Sequence, residues 1–334
     1  MNDVSRPHTP RDLAARTLPV PTTVSPQLQR AISNAAESPR PDPANIPRTP
    51  EQWAAMIASS QAFGEQRLAA ILTRYPAEIT QMEIGGVTVR EILPPSLDPA
   101  SAHRVLLHFH GGAYVVYGGR AGLSEAVLMA NHARMRVLSV DYRMPPAHPF
   151  PAALDDAVAA WTSLIATVDP TRIGVFGTSA GGGLLLAMIL KLKALGLPLP
   201  GAVAPGTPWT DLAGESDSYR VLAGVDGVLP AYEGSLAANA RLYAGGHDLR
   251  DPLLSPVHGD FTGFPPAILT TGTRDLLLSD TVRAYRALRA AGVEARLEVH
   301  EALSHAEYTS AWTSPESVLV YGDIAHWFDR WLAR

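Results

Sequence analysis

The chain has 334 residues, 46% hydrophobic and 18% charged, which suits a folded protein with a substantial core and excludes a disordered chain. Its 27 Lys and Arg against 32 Asp and Glu leave a net charge of −5 with no basic run, which argues against nucleic acid or an anionic membrane surface as partner. Cysteine is absent, so disulfides, thiolate metal sites and a cysteine nucleophile are excluded, and a reducing compartment fits.

In chain order, the first fifty residues carry ten prolines, from Pro7 to Pro50, and read as an irregular arm with at most a short helix near Ser25–Ala36. The start lacks the continuous apolar core of a secretory signal. The longest strongly apolar run, Leu184 to Leu190, is too short to span a bilayer, so the expectation is a cytoplasmic protein without stable membrane insertion. A firmer helix begins at Thr49, with Pro50 at its first position and Gln52 completing a capping box. Trp53, Met56, Ile57, Leu68, Ile71 and Leu72 then mark one apolar face, which predicts docking onto the rest of the chain.

From about residue 80 strands alternate with helices. "AEITQMEIG" and "VTVREIL" predict a hairpin around Gly85-Gly86. "RVLLHFH", "RVLSVDY", "RIGVFG", "GAVAPG", "AILTTGT" and "ARLEVHE" follow as strands, several of them apolar on both faces as buried parallel strands are. Helices are predicted over 122–134, 151–167, 180–195 and 280–291, the last with Asp280 as N-cap and Gly292 just past its end. This alternation predicts one α/β sheet covered on both faces. Some sixty residues between "GAVAPG" and "AILTTGT" exceed a plain crossover, carry a helical pattern near 231–243, and read as an insertion forming a cap with the N-terminal helices. The division expected is an arm and cap helices at 1–79, a first core part at 80–206, the cap insertion at 207–255, and a second core part at 256–334.

Gly177-Thr178-Ser179-Ala180-Gly181 has the G-x-S-x-G pattern of a nucleophile elbow between a good strand and a good buried helix. The serine sits on a strained turn, so its neighbours must be nearly free of side chain, and the helix N-terminus favours negative charge at the reacting oxygen. A serine hydroxyl needs a base to take its proton, and in the chain order of α/β-hydrolases, where such an elbow occurs, an acid and then a histidine follow it, each just past a later strand. Asp275 stands directly after "AILTTGT", and His305 follows "ARLEVHEALS". Asp280 is better explained as a helix cap, His300 as a strand residue, and His103, His132, His258 and His326 as surface or packing residues. "LHFHGGAYVVYGG" sets His110, Gly111, Gly112 and Ala113 after a strand, where a glycine loop can turn its N–H groups toward a substrate.

These motifs, with "DYRMPPAHPFPAALDD", "GTSAGG", "GTRDLLLSD" and "SHAEY", resemble the hormone-sensitive-lipase-like esterases, the bacterial family IV of lipolytic enzymes, over residues of about 80 to 334. The resemblance implies an α/β-hydrolase fold: a mostly parallel eight-stranded sheet flanked by helices, with a helical cap. It implies hydrolysis of small-molecule carboxylic esters, usually with short acyl chains, and no metal or organic cofactor. By position, Ser179 matches the nucleophile, Asp275 the triad acid and His305 the triad histidine. Gly112, Ala113 and Ala180 match the oxyanion donors, Gly111 gives the loop its turn, and His110 anchors it. "GTSAGG" points to a branch whose members are often dimers, so a homodimer is a further expectation. The fourth residue of the H-G-G-G pattern is Ala113, and a glutamate usual in the family is replaced by Ala147. "GTRDLLLSDTVR" is also similar to ε-lactone hydrolases, and plant gibberellin receptors keep the fold without the triad histidine, so lactone hydrolysis and ligand binding stand as alternatives. Tyr114, Tyr117 and Trp209 either border the substrate or pack core against cap.

Overall fold

In the computed structural model, which describes residue 15, residues 17–37 and residues 46–333, eight strands form one sheet in the order β1-β2-β4-β3-β5-β6-β7-β8. The strands are β1 (Glu78–Ile84), β2 (Val87–Leu93), β3 (Val105–Phe109), β4 (Arg136–Val140), β5 (Ile173–Thr178), β6 (Ala202–Gly206), β7 (Ala267–Gly272) and β8 (Ala295–His300). β1 pairs with β2, and β2 with β4, in antiparallel fashion; every other pairing is parallel. All eight expected strands are therefore present, and the mostly parallel sheet is borne out. Much of the proline-rich arm, at 1–14 and 38–45, lies outside the described residues.

The helices are α1 (Pro26–Glu37), α2 (Pro50–Leu72), α3 (Ser124–Ala133), α4 (Ala152–Leu164), α5 (Ala180–Leu195), α6 (Ser218–Val221), α7 (Ser235–Ala244), α8 (Leu278–Ala290), α9 (Glu307–Ser310) and α10 (Pro315–Trp331). α2 starts at the expected capping box: the Gln52 N–H donates to Thr49 Oγ1, and the Thr49 N–H donates to the Gln52 side chain. Gly292, just past the Ala291 cap of α8, takes φ +76, a left-handed conformation that glycine adopts without steric cost.

Side chains alternate across each strand, so the sheet divides the core in two. Val105, Leu107 and Phe109 of β3 join Ile173 and Val175 of β5 against α4, α5 and α8. Leu106 and Phe176 face the other way, onto α1, α2, α3 and α10. α5 is apolar all round because it is enclosed: Leu184, Leu185, Leu186, Met188 and Ile189 expose nothing. Burying each such side chain contributes about 2 kcal/mol. α2 spans two environments. Leu68 and Ile71 sit in the core under the sheet, while Trp53 packs with Val115 and with Ala238 of α7.

One expectation fails. Asp280 is not a helix cap: α8 begins at Leu278, its cap position is Leu277 without a side-chain bond, and Asp280 lies fully buried in the first turn. Its Oδ2 instead accepts the N–H groups of Thr210 and Asp211 and the hydroxyl of Tyr219, tying the start of the 207–255 segment to the core. The orphaned N–H groups of a neighbouring loop compete for a short carboxylate as strongly as a helix end does.

Candidate active site

The parallel strands β3, β5, β6, β7 and β8 deliver their carboxyl ends to one edge of the sheet, and the loops leaving β3, β5, β7 and β8 carry the candidate residues. Ser179 occupies the single residue between β5 and α5, at φ 61 and ψ −123. This strained conformation is held from both sides: the Ser179 N–H donates to the Gly206 carbonyl, and its own carbonyl accepts from Gly183 and Trp209. The flanking glycines are sterically required. A Cβ on either Gly177 or Gly181 would run into the Phe109 carbonyl oxygen, and one on Gly111 would lie 2.9 Å from the Thr178 carbonyl oxygen.

The loop after β3 passes alongside. Gly112 has φ +114, and Ala113 has φ +51, a left-handed conformation that costs a residue with a Cβ about 1 kcal/mol. Among the described residues the N–H groups of Gly112 and Ala113 have no hydrogen-bond acceptor, and that of Ala180, first in α5, has none within its helix. His110 is buried beneath this loop. Its Nδ1 donates to the Gly111 carbonyl, its ring stacks on Tyr142 at 4.2 Å, and the Tyr142 hydroxyl donates to its carbonyl. Burial pushes its pKa down to about 4, so it is a neutral strut.

Asp275 is fully buried after β7, its Oδ2 accepting from the Thr271 hydroxyl and its Oδ1 from the Leu277 N–H. The same Oδ1 lies 3.0 Å from Nδ1 of His305, which is 3% exposed in the loop after β8. Burial opposes the charged imidazolium, but the hydrogen bond to Asp275 and the charges of Asp275 and Asp226 outweigh it, and the pKa of His305 is raised. Ser179, His305, Gly111, Gly112 and Ala113 all line one cavity of about 350 Å³. The strand ends thus supply a hydroxyl, an imidazole backed by a carboxylate, and free N–H groups around one space.

Over residues 106–309 the sequence matches the family described by the alpha/beta hydrolase fold. The chain belongs to that α/β-hydrolase family. An acetyl-hydrolase of Streptomyces hygroscopicus is 34% identical over 223 residues, covering 66% of this chain and 73% of that one. The crystal structure of an esterase designated E25 is similar with a TM-score of 0.92 at 39% identity, covering 97% of this chain and 99% of that one. An esterase from the bacterial hormone-sensitive lipase family aligns with a TM-score of 0.79 at 30% identity, over 92% of this chain and 99% of that one. The resemblance to hormone-sensitive-lipase-like esterases is borne out.

Within this hydrolase the cavity wall contains residues that no motif announced. Met56, Ser60 and Arg67 come from α2, Val228 and Leu229 from the loop after α6, and Leu236 and Asn239 from α7. Of the three aromatic residues weighed in the sequence, Tyr117 lines the cavity. Tyr114 is buried in a stack on Tyr243 at 3.8 Å, and Trp209 is wholly enclosed, so both are packing. Beneath Ser179, the Thr178 hydroxyl donates to Glu125 and is 2.6 Å from the Tyr308 hydroxyl, while His108 sits 3.2 Å from the other Glu125 oxygen. Polar residues at inward strand and helix positions were the only sequence signal of this network. Asp211, Glu215 and His258 approach metal-ligand spacing, but Asp211 is already taken up by Arg283, Ser216 and two backbone N–H groups. No helix among the described residues is long and apolar enough to cross a membrane.

Proposed function

We propose that the protein is a carboxylesterase that cleaves short-chain acyl esters through a Ser179–His305–Asp275 triad and an acyl-enzyme. The observation that carries this reading is the buried His305–Asp275 pair opening onto the same cavity as the strained Ser179. Ser179 Oγ attacks the ester carbonyl as His305 Nε2 takes its proton, and Asp275 holds the tautomer that leaves Nε2 free. The oxyanion forms against the N–H groups of Gly112, Ala113 and Ala180, where each donor is worth a factor of about 10²–10³. His305 then protonates the leaving alcohol, and water releases the acid by the same cycle. α2 and the 207–255 segment act as the cap that bounds the acyl site, since Met56, Val228, Leu229 and Leu236 face the space beside Ser179. The names of the related acetyl-hydrolase and esterases support ester substrates for this chain.

The test is p-nitrophenol release from acetate through decanoate esters by wild type, Ser179→Ala and His305→Ala. Turnover that falls with chain length, and drops by about 10³ or more in both variants, is expected. Higher turnover of an ε-lactone than of any ester would move the substrate class to lactones. Equal rates in wild type and variants would overturn the hydrolytic reading.

A further inference from the structure

Asp226 belongs to none of the recognised motifs. It lies in the loop after α6, 5% exposed, and both carboxylate oxygens are fully engaged. Oδ2 accepts the N–H of Leu276, next to Asp275, at 2.7 Å, and the N–H of His305 at 3.1 Å. Oδ1 accepts the N–H groups of Val228 at 2.7 Å and Leu229 at 2.9 Å, two residues that line the cavity. The intervening Gly227 N–H donates to the hydroxyl of Ser304, immediately before His305. From the far side α1 closes on this loop, so near that a Cβ at Gly227 would lie 2.9 Å from the Ala35 methyl.

A buried carboxylate is costly, and an apolar residue would fill the same space without that cost. What only a carboxylate supplies is four acceptor directions in a plane, with a negative charge, at the junction of three loops. We propose that Asp226 is a positioning residue that holds His305 and the Asp275 loop in register with the Val228–Leu229 wall, so that one side chain sets both imidazole geometry and acyl-site shape. This rests on the triad reading above. The charge acts as well as the hydrogen bonds: Asp226 and Asp275 both favour the imidazolium of His305, with a smaller contribution from Asp280. Asp226 in turn faces Asp275, His305 and Glu307; burial and the Asp275 charge raise its pKa to about 6, against the pull of His305 and of the Leu229 and Leu276 N–H groups.

The test is Asp226→Asn, nearly isosteric, alongside Asp226→Ala, with folding checked by urea denaturation. Two readouts are taken: kcat and KM on p-nitrophenyl acetate, butyrate and octanoate, and the His305 imidazole pKa by NMR titration, assigned with His305→Gln. For folded Asp226→Asn we expect kcat to fall by about 10–100-fold on every ester, butyrate-to-octanoate selectivity to change, and the imidazole pKa to fall by about one unit. A variant that loses only stability, with kcat, selectivity and imidazole pKa unchanged, overturns the proposal. The titration needs no turnover. If wild type hydrolyses no ester, the esterase reading fails, while an imidazole pKa unmoved by Asp226→Asn would still overturn the role of Asp226.

Discussion

Nδ1 of His305 lies 3.0 Å from Oδ1 of Asp275, joining two loops thirty residues apart in sequence, and neither residue is exposed by more than 3%. The second Asp275 oxygen is held by Thr271, so the carboxylate cannot swing away from the ring. In the proposed triad such a pair fixes one tautomer of the imidazole and leaves Nε2 free to act as the base.

Asp275→Asn should keep the packing and remove the charge, while its amide can present N–H to Nδ1 and favour the wrong tautomer. The expected loss is about 10⁴ in kcat with little change in KM, measured by steady-state kinetics on p-nitrophenyl butyrate. A loss below about tenfold would remove Asp275 from the triad.

The acid limb of kcat/KM should report His305. Burial lowers its pKa, but the bond to Asp275 and the surrounding negative charges prevail, so the pKa lies above the ordinary 6.5. In the proposed mechanism the neutral ring is the base, so activity should fall as pH drops through that raised value and recover above it. In Asp275→Asn the residual limb should shift to lower pH, because the group that favoured the imidazolium is gone. Rate profiles from about pH 5 to about pH 9 decide this.

Two glycine-to-alanine changes should have opposite signs. At Gly181 the new methyl would collide with the Phe109 carbonyl, so α5 and the Ser179 turn must part from β3. A loss of about 3 kcal/mol or more, or failure to fold, is expected. At Gly322, inside α10, nothing lies within 4 Å, and Gly322→Ala should stabilise by about 0.5–1 kcal/mol. Urea unfolding midpoints compare the two.

Asp280 should set a pH dependence of stability. Burial pushes its pKa up to about 7 from an ordinary 3.8, so the folded state favours the neutral acid. The associated stability is fully present below about pH 4 and is lost as pH rises through about 7. Asp280→Asn mimics the neutral acid, keeping one oxygen for Thr210, Asp211 and Tyr219, and should flatten this dependence. Asp280→Ala leaves those donors unpaired and should cost about 1–3 kcal/mol or more at any pH. Denaturation at pH 5 and pH 8 separates the two variants.

The eight strands were legible because each is a short apolar run closed by turn residues, and local sequence suffices for that. That Ser179, Asp275, His305 and the Gly111–Ala113 loop stand just past strand ends was legible because the turn after a strand demands particular residue types, above all glycines where backbones touch. The exact length of α5, 180–195, was also local: the elbow starts it, and Gly196 at φ +66 ends it. Asp280 shows where local reasoning stopped. At a helix start an aspartate reads as a cap, and only the fold brought the N–H groups of Thr210 and Asp211 within its reach, seventy residues away in sequence. Asp226, Glu125, Val228, Leu229 and Arg67 were unreadable for the same reason. Sequence specifies which groups a turn or a strand can carry, through steric and hydrogen-bonding rules acting within a few residues. Which distant groups share a buried charge or a cavity wall is decided when the loops of one sheet edge pack together, and for that the tertiary structure was required.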